Sequence, residues 1–284
     1  MINIETLSRV EQILKRTLEG LYGGEVKEFA SRMKNSKDAD KQKEFYIEMV
    51  HILYSKSQDE SNQQLLNIGM DLCDDFIQFY KRAKLEGNTN ADSLLLSPFI
   101  DFPNIEGSKL LSKYMSLIEA SIAYKSALNS LDYMLVFESS KNVLLSGYEF
   151  IDGIIPFIIA CRSEDSITNN KVESIFRYSF KSKIEDLNNK TYDGEFQLFK
   201  KISNNNFRNA LAHRTLFHDR DNNIIIYNDR DKEFKIDIVT YTAYATVCSY
   251  IPFSYMLFVI IHCFIIQYPN DIYLLPERIQ KVIK

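Results

Sequence analysis

The sequence predicts an all-α protein, a multi-helix bundle that carries one small β-hairpin. Glycine and proline, the residues that most often end helices, number only 9 and 6 among 284 residues. Apolar side chains recur every three or four positions through most of the chain, which is the spacing of one face of an α-helix. With 45% hydrophobic and 13% aromatic residues there is ample material for a core, and this composition excludes a disordered chain.

The helical spacing runs through both halves of the chain, with one long interruption. Residues 87–108 contain Gly87, Pro98, Pro103 and Gly107 and show no sustained period. Beyond this stretch the apolar spacing resumes, and Pro156 is predicted to kink one of the later helices. We predict helices over residues 5–22, 44–56, 61–84, 110–136, 141–161, 172–187 and 196–202.

The irregular stretch 87–108 is the predicted domain boundary, either a linker or an ordered loop. Residues 1–86 then form an N-terminal helical region, and residues 109–284 form a second helical domain. The N-terminal helices carry no motif that assigns them a role.

A β-hairpin is predicted near the C-terminal end. Residues 222–227 and 233–238 are rich in isoleucine and aromatic residues, and polar turn residues at 228–232 separate them. Phe234, Ile236 and Ile238 alternate along the second arm, so they are expected to share one face of the hairpin.

The last predicted helix, about Val239 to Gln267, is long enough to span a bilayer. It contains no Asp, Glu, Lys or Arg, and His262 is its one histidine. Threonines, serines and Pro252 are spread along it, and no basic flank precedes it. These features favour burial inside a soluble bundle or a dimer interface, with His262 as a core residue, and no stable membrane association is expected.

Net charge does not single out a nucleic-acid-binding protein, because the formal value is −4. Residues 171–220, however, include ten basic and six acidic residues, and this local net positive charge permits contact with RNA. The four cysteines are scattered in apolar segments without zinc spacing, which favours reduced core residues of a cytoplasmic protein.

A polar segment interrupts the helical pattern at Asn204-Asn205-Asn206. Asparagine side chains compete for backbone hydrogen bonds and cap helices well, so a helix is predicted to start at about Phe207, with Asn206 as its cap. At about 100° per residue, Phe207, Ala210 and Leu211 fall on one side of this helix. The polar side carries Arg208, Asn209, Ala212 and His213.

The side chains of this polar side have the chemistry to act on a phosphate. The guanidinium of Arg208 suits phosphate oxygens. Ala212 is small, so a phosphate could approach the helix backbone there, helped by free amides at the helix start. Histidine is the side chain best suited to proton transfer at physiological pH, so His213 is the candidate acid or base. Asn209 precedes His213 by four positions and therefore stacks beside it on the helix.

Arg208, Asn209 and His213, after the asparagine run and before a long apolar helix, resemble the HEPN superfamily. Its signature is an Arg, a polar residue directly after it, and a His after four to six intervening positions. The resemblance implies a HEPN-like helical domain over residues 109–284. It also implies a homodimer in which two copies of the motif face each other, with no metal or other cofactor. Many members are metal-independent endoribonucleases, often toxins or effectors of abortive infection and antiviral defence.

The resemblance implies a role for each motif residue. Arg208, Asn209 and His213 would be catalytic, and Glu149 and Asp152 are candidate supporting carboxylates. Lys200, Lys201 and Arg214 are the candidate RNA-binding residues. An antidote or trigger protein is a further implied partner. One branch of the family, paired with a nucleotidyltransferase antidote, carries a Tyr two residues after the His, whereas this chain has Thr215.

Other interpretations of the same residues stay open. The domain could be a catalytically inactive HEPN-like module that binds RNA or protein, or a structural helical adaptor. Arg208 and His213 would then be an ordinary helix residue and a helix-terminal histidine. The cluster His213, His218, Asp219 and Asp221 has ligand types that suit a metal, but it lies in a segment predicted to be a loop and matches no strong metal signature.

Overall fold

The fold is described from a computed structural model of the chain. It covers residues 39–56, 63–87, 91, 110–130, 132–161 and 169–283. The helix predicted over residues 5–22 and most of the stretch 87–108 lie outside the described residues.

The protein is mostly helical, as predicted, with one small antiparallel sheet. The final helix begins and ends within a residue of its predicted limits. The helices of the described residues are α1 (Ala39–Lys56), α2 (Gln63–Leu85), α3 (Leu110–Ser130), α4 (Tyr133–Cys161), α5 (Asn169–Phe176), α6 (Phe180–Lys190), α7 (Gln197–Ile202), α8 (Asn205–His213), α9 (Ile238–Gln267) and α10 (Glu277–Ile283), with a 3₁₀ helix at Pro269–Leu274 between the last two.

One predicted helix boundary is wrong. The sequence suggested a single helix over 110–136, but α3 ends at Ser130 and α4 begins at Tyr133. The Oδ1 atom of Asp132 accepts hydrogen bonds from the backbone N–H groups of Met134 and Leu135 at 2.9 and 3.2 Å. Asp132 therefore caps α4. The apolar residues on either side of the break, Leu128 and Leu135, are exposed, so their helical spacing did not mark a continuous buried face.

The sheet contains the predicted hairpin and a third strand that was not predicted. Strands β2 (Ile224–Asp229) and β3 (Lys232–Asp237) pair in antiparallel fashion, with Arg230 in the left-handed region at the turn. Strand β1 (Leu216–Asp219) adds to the other side of β2. The prediction of a loop there was wrong because the strand has only four residues, two of them polar, and its pairing partner lies further along the chain.

Helix α4 is the centre of the core around the motif. It packs against α3 along its length and also contacts α5, α6 and α8. Most of its residues from Val143 to Cys161 are buried, and the helix continues past Pro156 to Cys161. All four cysteines are buried and in the reduced form, as predicted.

Gly147 brings α4 and α9 close together. A Cβ atom added at this glycine would lie 2.6 Å from Sγ and 2.8 Å from Cβ of Cys248, whose Cβ cannot rotate away. We therefore expect Gly147→Ala to lower the free energy of unfolding by about 1–2 kcal/mol, because overpacking outweighs the gain in helix propensity. Chemical denaturation measures the change.

Gly153→Ala in the same helix is the matched control. A Cβ atom there would meet the Cδ1 methyl of Leu110 at 2.8 Å, and that methyl group ends a flexible side chain. We expect no loss of stability for Gly153→Ala. Equal stability of the two variants would contradict the close approach at Gly147.

The chain divides into two compact units. One contains the residues up to Gly87 together with Pro252–Lys284, and the other contains Asn88–Ile251. Helix α9 contributes its first part to the second unit and its later part to the first. The sequence grouped the whole segment 109–284 with the motif, and those predicted domain limits stay a prediction.

Helices α4 and α9 are each long and apolar enough to cross a membrane, but 78% and 83% of their most apolar windows are buried within the fold. The burial favoured from the sequence for α9 is therefore observed, and it is consistent with a soluble protein. His262 in this helix is a core residue, only 5% exposed.

Candidate functional site

Helix α8 carries the motif, and its first turn is fixed by Asn204. The Oδ1 atom of Asn204 accepts a hydrogen bond from the backbone N–H of Phe207 at 3.1 Å, and its carbonyl accepts one from Arg208 N–H at 2.9 Å. The predicted cap, Asn206, was the wrong member of the run. Asn204 caps the helix because its extended backbone (φ −103, ψ 113) aims the amide back at the open turn.

The predicted anchored face of α8 is confirmed. Phe207, Ala210 and Leu211 are buried, and the ring of Phe207 lies 5.0 Å from that of Tyr227 on β2 and 6.2 Å from that of Tyr148 on α4. The OH of Tyr148 donates to the carbonyl of Ile202 at 2.5 Å, just before the motif. The motif helix is therefore held on two sides, by the sheet and by α4.

His213 is the last residue of α8 and is exposed to solvent. Arg214 follows in the left-handed conformation (φ 57), and its N–H bonds to the carbonyls of Ala210 and Leu211. The chain then enters β1, and the Oγ1 of Thr215 donates to the carbonyl of Asn228 at 2.6 Å. This sharp, hydrogen-bonded exit leaves the backbone under His213 well fixed while its imidazole faces solvent.

Asn209 points towards the hairpin. Its Nδ2 donates to Oδ2 of Asp229, the last residue of β2, at 3.2 Å. Sequence reasoning paired Asn209 with His213 or with a phosphate and did not identify Asp229. No spacing in the sequence marks Asp229 as the partner, because the contact depends on how the hairpin folds back onto α8.

Arg208 extends from the other side of α8. It is half-buried, and the carbon atom of its guanidinium group lies 6.0 Å from the ring centre of Phe180 on α6. Its Nε is buried and has no hydrogen-bond partner among the described residues. The side chain is therefore positioned by packing, and one of its donors is left for another acceptor.

Two lysines that the sequence analysis missed lie in the surroundings of Arg208. Burial is the main cause of a lowered pKa at Lys113 on α3, and the positive charges of Lys183 and Arg208 lower it further, while Asp152 and Glu149 oppose the shift. We call these five residues the charged cluster. Its three cations outnumber its two carboxylates, which favours an anion nearby.

Asp152 has a defined partner within the charged cluster. Its Oδ1 accepts a hydrogen bond from Nζ of Lys183 at 2.9 Å, and its carbonyl accepts a second at 3.3 Å. Lys183 is only 2% exposed. Asp152, one of the two carboxylates predicted as supports, is therefore paired with a lysine of α6, the helix towards which Arg208 packs.

Within one chain, the side chains of Arg208 and His213 extend from different sides of α8. Arg208 and His213 are five positions apart, which places them roughly 140° apart around the helix. Arg208 packs towards α6, whereas His213 faces solvent at the helix end. The predicted RNA-binding residues lie on both sides of α8 along the chain: Lys200, on α7, is half-buried, Lys201 of the same helix is exposed, and Arg214, directly after His213, is exposed.

His218 belongs to a separate group of side chains. Its Nδ1 is hydrogen-bonded to the OH of Tyr133, and the guanidinium carbon of Arg220 lies 4.1 Å from the centre of the Tyr133 ring. Burial and Arg220 lower the pKa of His218, and Asp219 partly opposes them. The imidazole is therefore committed to the packing of β1 against the start of α4.

The geometry does not favour the metal alternative. Asp219 uses its carboxylate to close the turn after β1, where it accepts hydrogen bonds from Asp221 N–H at 3.1 Å and Asn222 Nδ2 at 2.8 Å. Within the parts of the chain that the structure describes, no group of three or more His, Cys, Asp or Glu side chains is arranged to hold a metal ion.

Comparison with known proteins found no match among protein-family models, curated proteins or solved structures. The likeness to the HEPN superfamily therefore rests on Arg208, Asn209 and His213 and on their setting.

Proposed function

We propose that this protein is a metal-independent endoribonuclease of HEPN type, with a composite active site where two copies of the chain meet. The observation that carries the proposal is the form of α8. A helix anchored by buried Phe207, Ala210 and Leu211 presents His213 to solvent at its end and holds Arg208 within the charged cluster, whose cations outnumber its carboxylates by one. A cytoplasmic role as a toxin or defence effector is part of the proposal.

The proposed reaction cleaves RNA through its own ribose. His213 of one chain takes the proton from a 2′-hydroxyl, and the 2′-oxygen attacks the adjacent phosphorus. The bond from phosphorus to the 5′-oxygen breaks, and His213 of the second chain gives that oxygen a proton. The products are a 2′,3′-cyclic phosphate and a 5′-hydroxyl. DNA lacks the nucleophile and is not cut.

Arg208 and Asn209 have separate parts in this proposal. Arg208 stabilises the negative charge that grows on the phosphoryl oxygens. Lys113 and Lys183 balance the two carboxylates of the charged cluster, so the positive charge of Arg208 is not cancelled by Asp152 and Glu149. Asn209, held by Asp229, keeps the helix end in place against the hairpin. Lys200, Lys201 and Arg214 contact the RNA backbone on either side.

A second chain supplies what one chain lacks. Arg208 and His213 of a single copy face different directions, so a phosphate held by one guanidinium is reached by an imidazole only if another copy lies opposite. A twofold axis near α8 would bring two sets together, and homodimers with such an axis are the commonest oligomers. An antidote or trigger protein that separates or joins the copies would control the activity.

The second candidate function is a catalytically inactive module of the same type that binds RNA or a protein. The packing of Arg208 favours it, because a guanidinium near Phe180 with its Nε buried has a structural role as well. In that case the charged cluster binds a phosphate of RNA or an acidic group of a protein, and no bond is cleaved.

Cleavage of total RNA in the presence of EDTA separates the two functions. We expect the wild-type protein to cut RNA under these conditions, and Arg208→Ala to be slower by about 10²–10³-fold, as for loss of one transition-state donor. Arg177→Ala is the matched control, because Arg177 is exposed and its ion pair, 2.5 Å long, is with Glu173 and not with a motif residue. Thermal melting checks that each variant is folded.

Two results would contradict the nuclease proposal. Full activity of Arg208→Ala would remove the site assignment. Failure of the wild-type dimer to cut any RNA, together with RNA binding that Arg208→Ala weakens, would favour the inactive module.

A further inference from the structure

A cavity of about 310 Å³ lies in the unit that contains α2, the later part of α9 and α10. Ligand pockets begin at roughly 300 Å³. The cavity is therefore large enough for a small molecule. Half of its lining comes from α2, in the N-terminal region to which the sequence assigned no role.

The floor of the cavity is apolar and firmly packed. Phe258 and Ile261 are buried, as is His262, the single imidazole among the lining residues. The Phe258 ring stacks on Phe76 at 5.5 Å, and the His262 ring meets Tyr80 edge-on at 3.9 Å. These ring contacts hold the walls in place, so the space does not close by simple side-chain movement.

The rim of the cavity is positively charged. Lys81 and Lys84 are three positions apart on α2 and thus lie on one side of that helix. Lys84 and Leu85 are the exposed lining residues, so the cavity opens to solvent there. None of the described lining residues is acidic. The ammonium group of Lys84 lies 5.7 Å from the centre of the Tyr80 ring, which also lines the cavity. A ligand that enters past this rim passes the two lysine side chains and then meets apolar walls.

We propose that this cavity binds an anionic amphiphile, a medium-chain carboxylate whose tail fills the apolar space and whose head group pairs with Lys81 and Lys84. At about 30 Å³ for each water-sized group, the cavity has room for a chain of roughly ten heavy atoms. Apolar burial drives the tail inwards, and charge-assisted hydrogen bonds hold the carboxylate at the rim. The proposal is independent of RNA cleavage.

Calorimetric titration of the full chain tests the proposal with three probes that share one tail: decanoate, decanol and decyltrimethylammonium, each below its micellar concentration. We expect saturable binding of one decanoate per chain. Decanol should bind about tenfold more weakly, and the cation should show no saturable binding. The double variant Lys81→Glu/Lys84→Glu should weaken decanoate binding by about tenfold or more.

The matched control is Lys232→Glu/Lys235→Glu, which makes the same charge change on the exposed hairpin and should bind decanoate as the wild type does. A second variant, Ile265→Trp, narrows the half-buried side of the cavity and should block binding of decanoate and decanol alike. Three results would overturn the proposal: no saturable binding of decanoate, equal affinity for the cation and the anion, or unchanged decanoate binding in the Lys81/Lys84 variant.

Discussion

Replacing His213 with alanine is expected to lower the rate of RNA cleavage by about 10²–10⁴-fold, the usual contribution of one positioned acid or base. The imidazole is exposed and ends its helix. Its removal should therefore leave the melting temperature nearly unchanged, so that the loss is chemical. His51→Ala is the control of the same residue type, because His51 is also exposed and its Nε2 contacts the carbonyl of Leu274, not the motif.

Mixing subunits tests whether His213 acts from both copies. Wild-type protein is mixed with an equal amount of His213→Ala and allowed to exchange. If one site needs two imidazoles, only the quarter of randomly formed dimers that contain two wild-type chains stay active, and the mixture keeps about a quarter of the activity of the same amount of wild-type protein. If each chain has an independent site, the mixture keeps about half of that activity. Activity that falls only in proportion to the wild-type fraction would contradict the composite site even if His213→Ala alone is inactive.

The part of the site that follows from helical periodicity could be predicted from the sequence. Phe207, Ala210 and Leu211 face the core as expected, because a residue's angle around a helix depends only on its position along the chain. The end of the helix also lies at His213, where the polar side of the motif stops. Hairpin strands β2 and β3 were predictable for the same reason, since alternation and a polar turn are local signals.

The partners of the motif could not be predicted in this way. Asn209 bonds to Asp229, twenty positions later, and Arg208 lies near Lys113, which is on α3. Such contacts depend on how helices cross, and no spacing in the chain encodes them. The sequence also could not predict that Asn204, and not Asn206, caps the helix. The three asparagines are identical and differ only in the backbone angles that the fold imposes.

Replacing Asp152 with alanine is expected to lower the free energy of unfolding by about 3–5 kcal/mol, the usual cost of removing one partner of a buried ion pair. Lys183, at 2% exposed, would lose the carboxylate 2.9 Å from its Nζ and could not reach water instead. Lys183→Met should cost less, because Asp152 keeps 20% side-chain exposure and can be hydrated. Urea denaturation followed by circular dichroism measures both changes.

The double variant Asp152→Ala/Lys183→Met separates a structural role for Asp152 from a catalytic one. If the carboxylate serves mainly to pair with Lys183, the double variant should be more stable than Asp152→Ala alone, because no unpaired ammonium group remains in the core. RNA cleavage should then follow the stability of each variant. If Asp152→Ala keeps its stability but loses cleavage, the supporting role suggested by the sequence is the correct one, because the carboxylate then acts on Arg208 through the charged cluster and not on the fold.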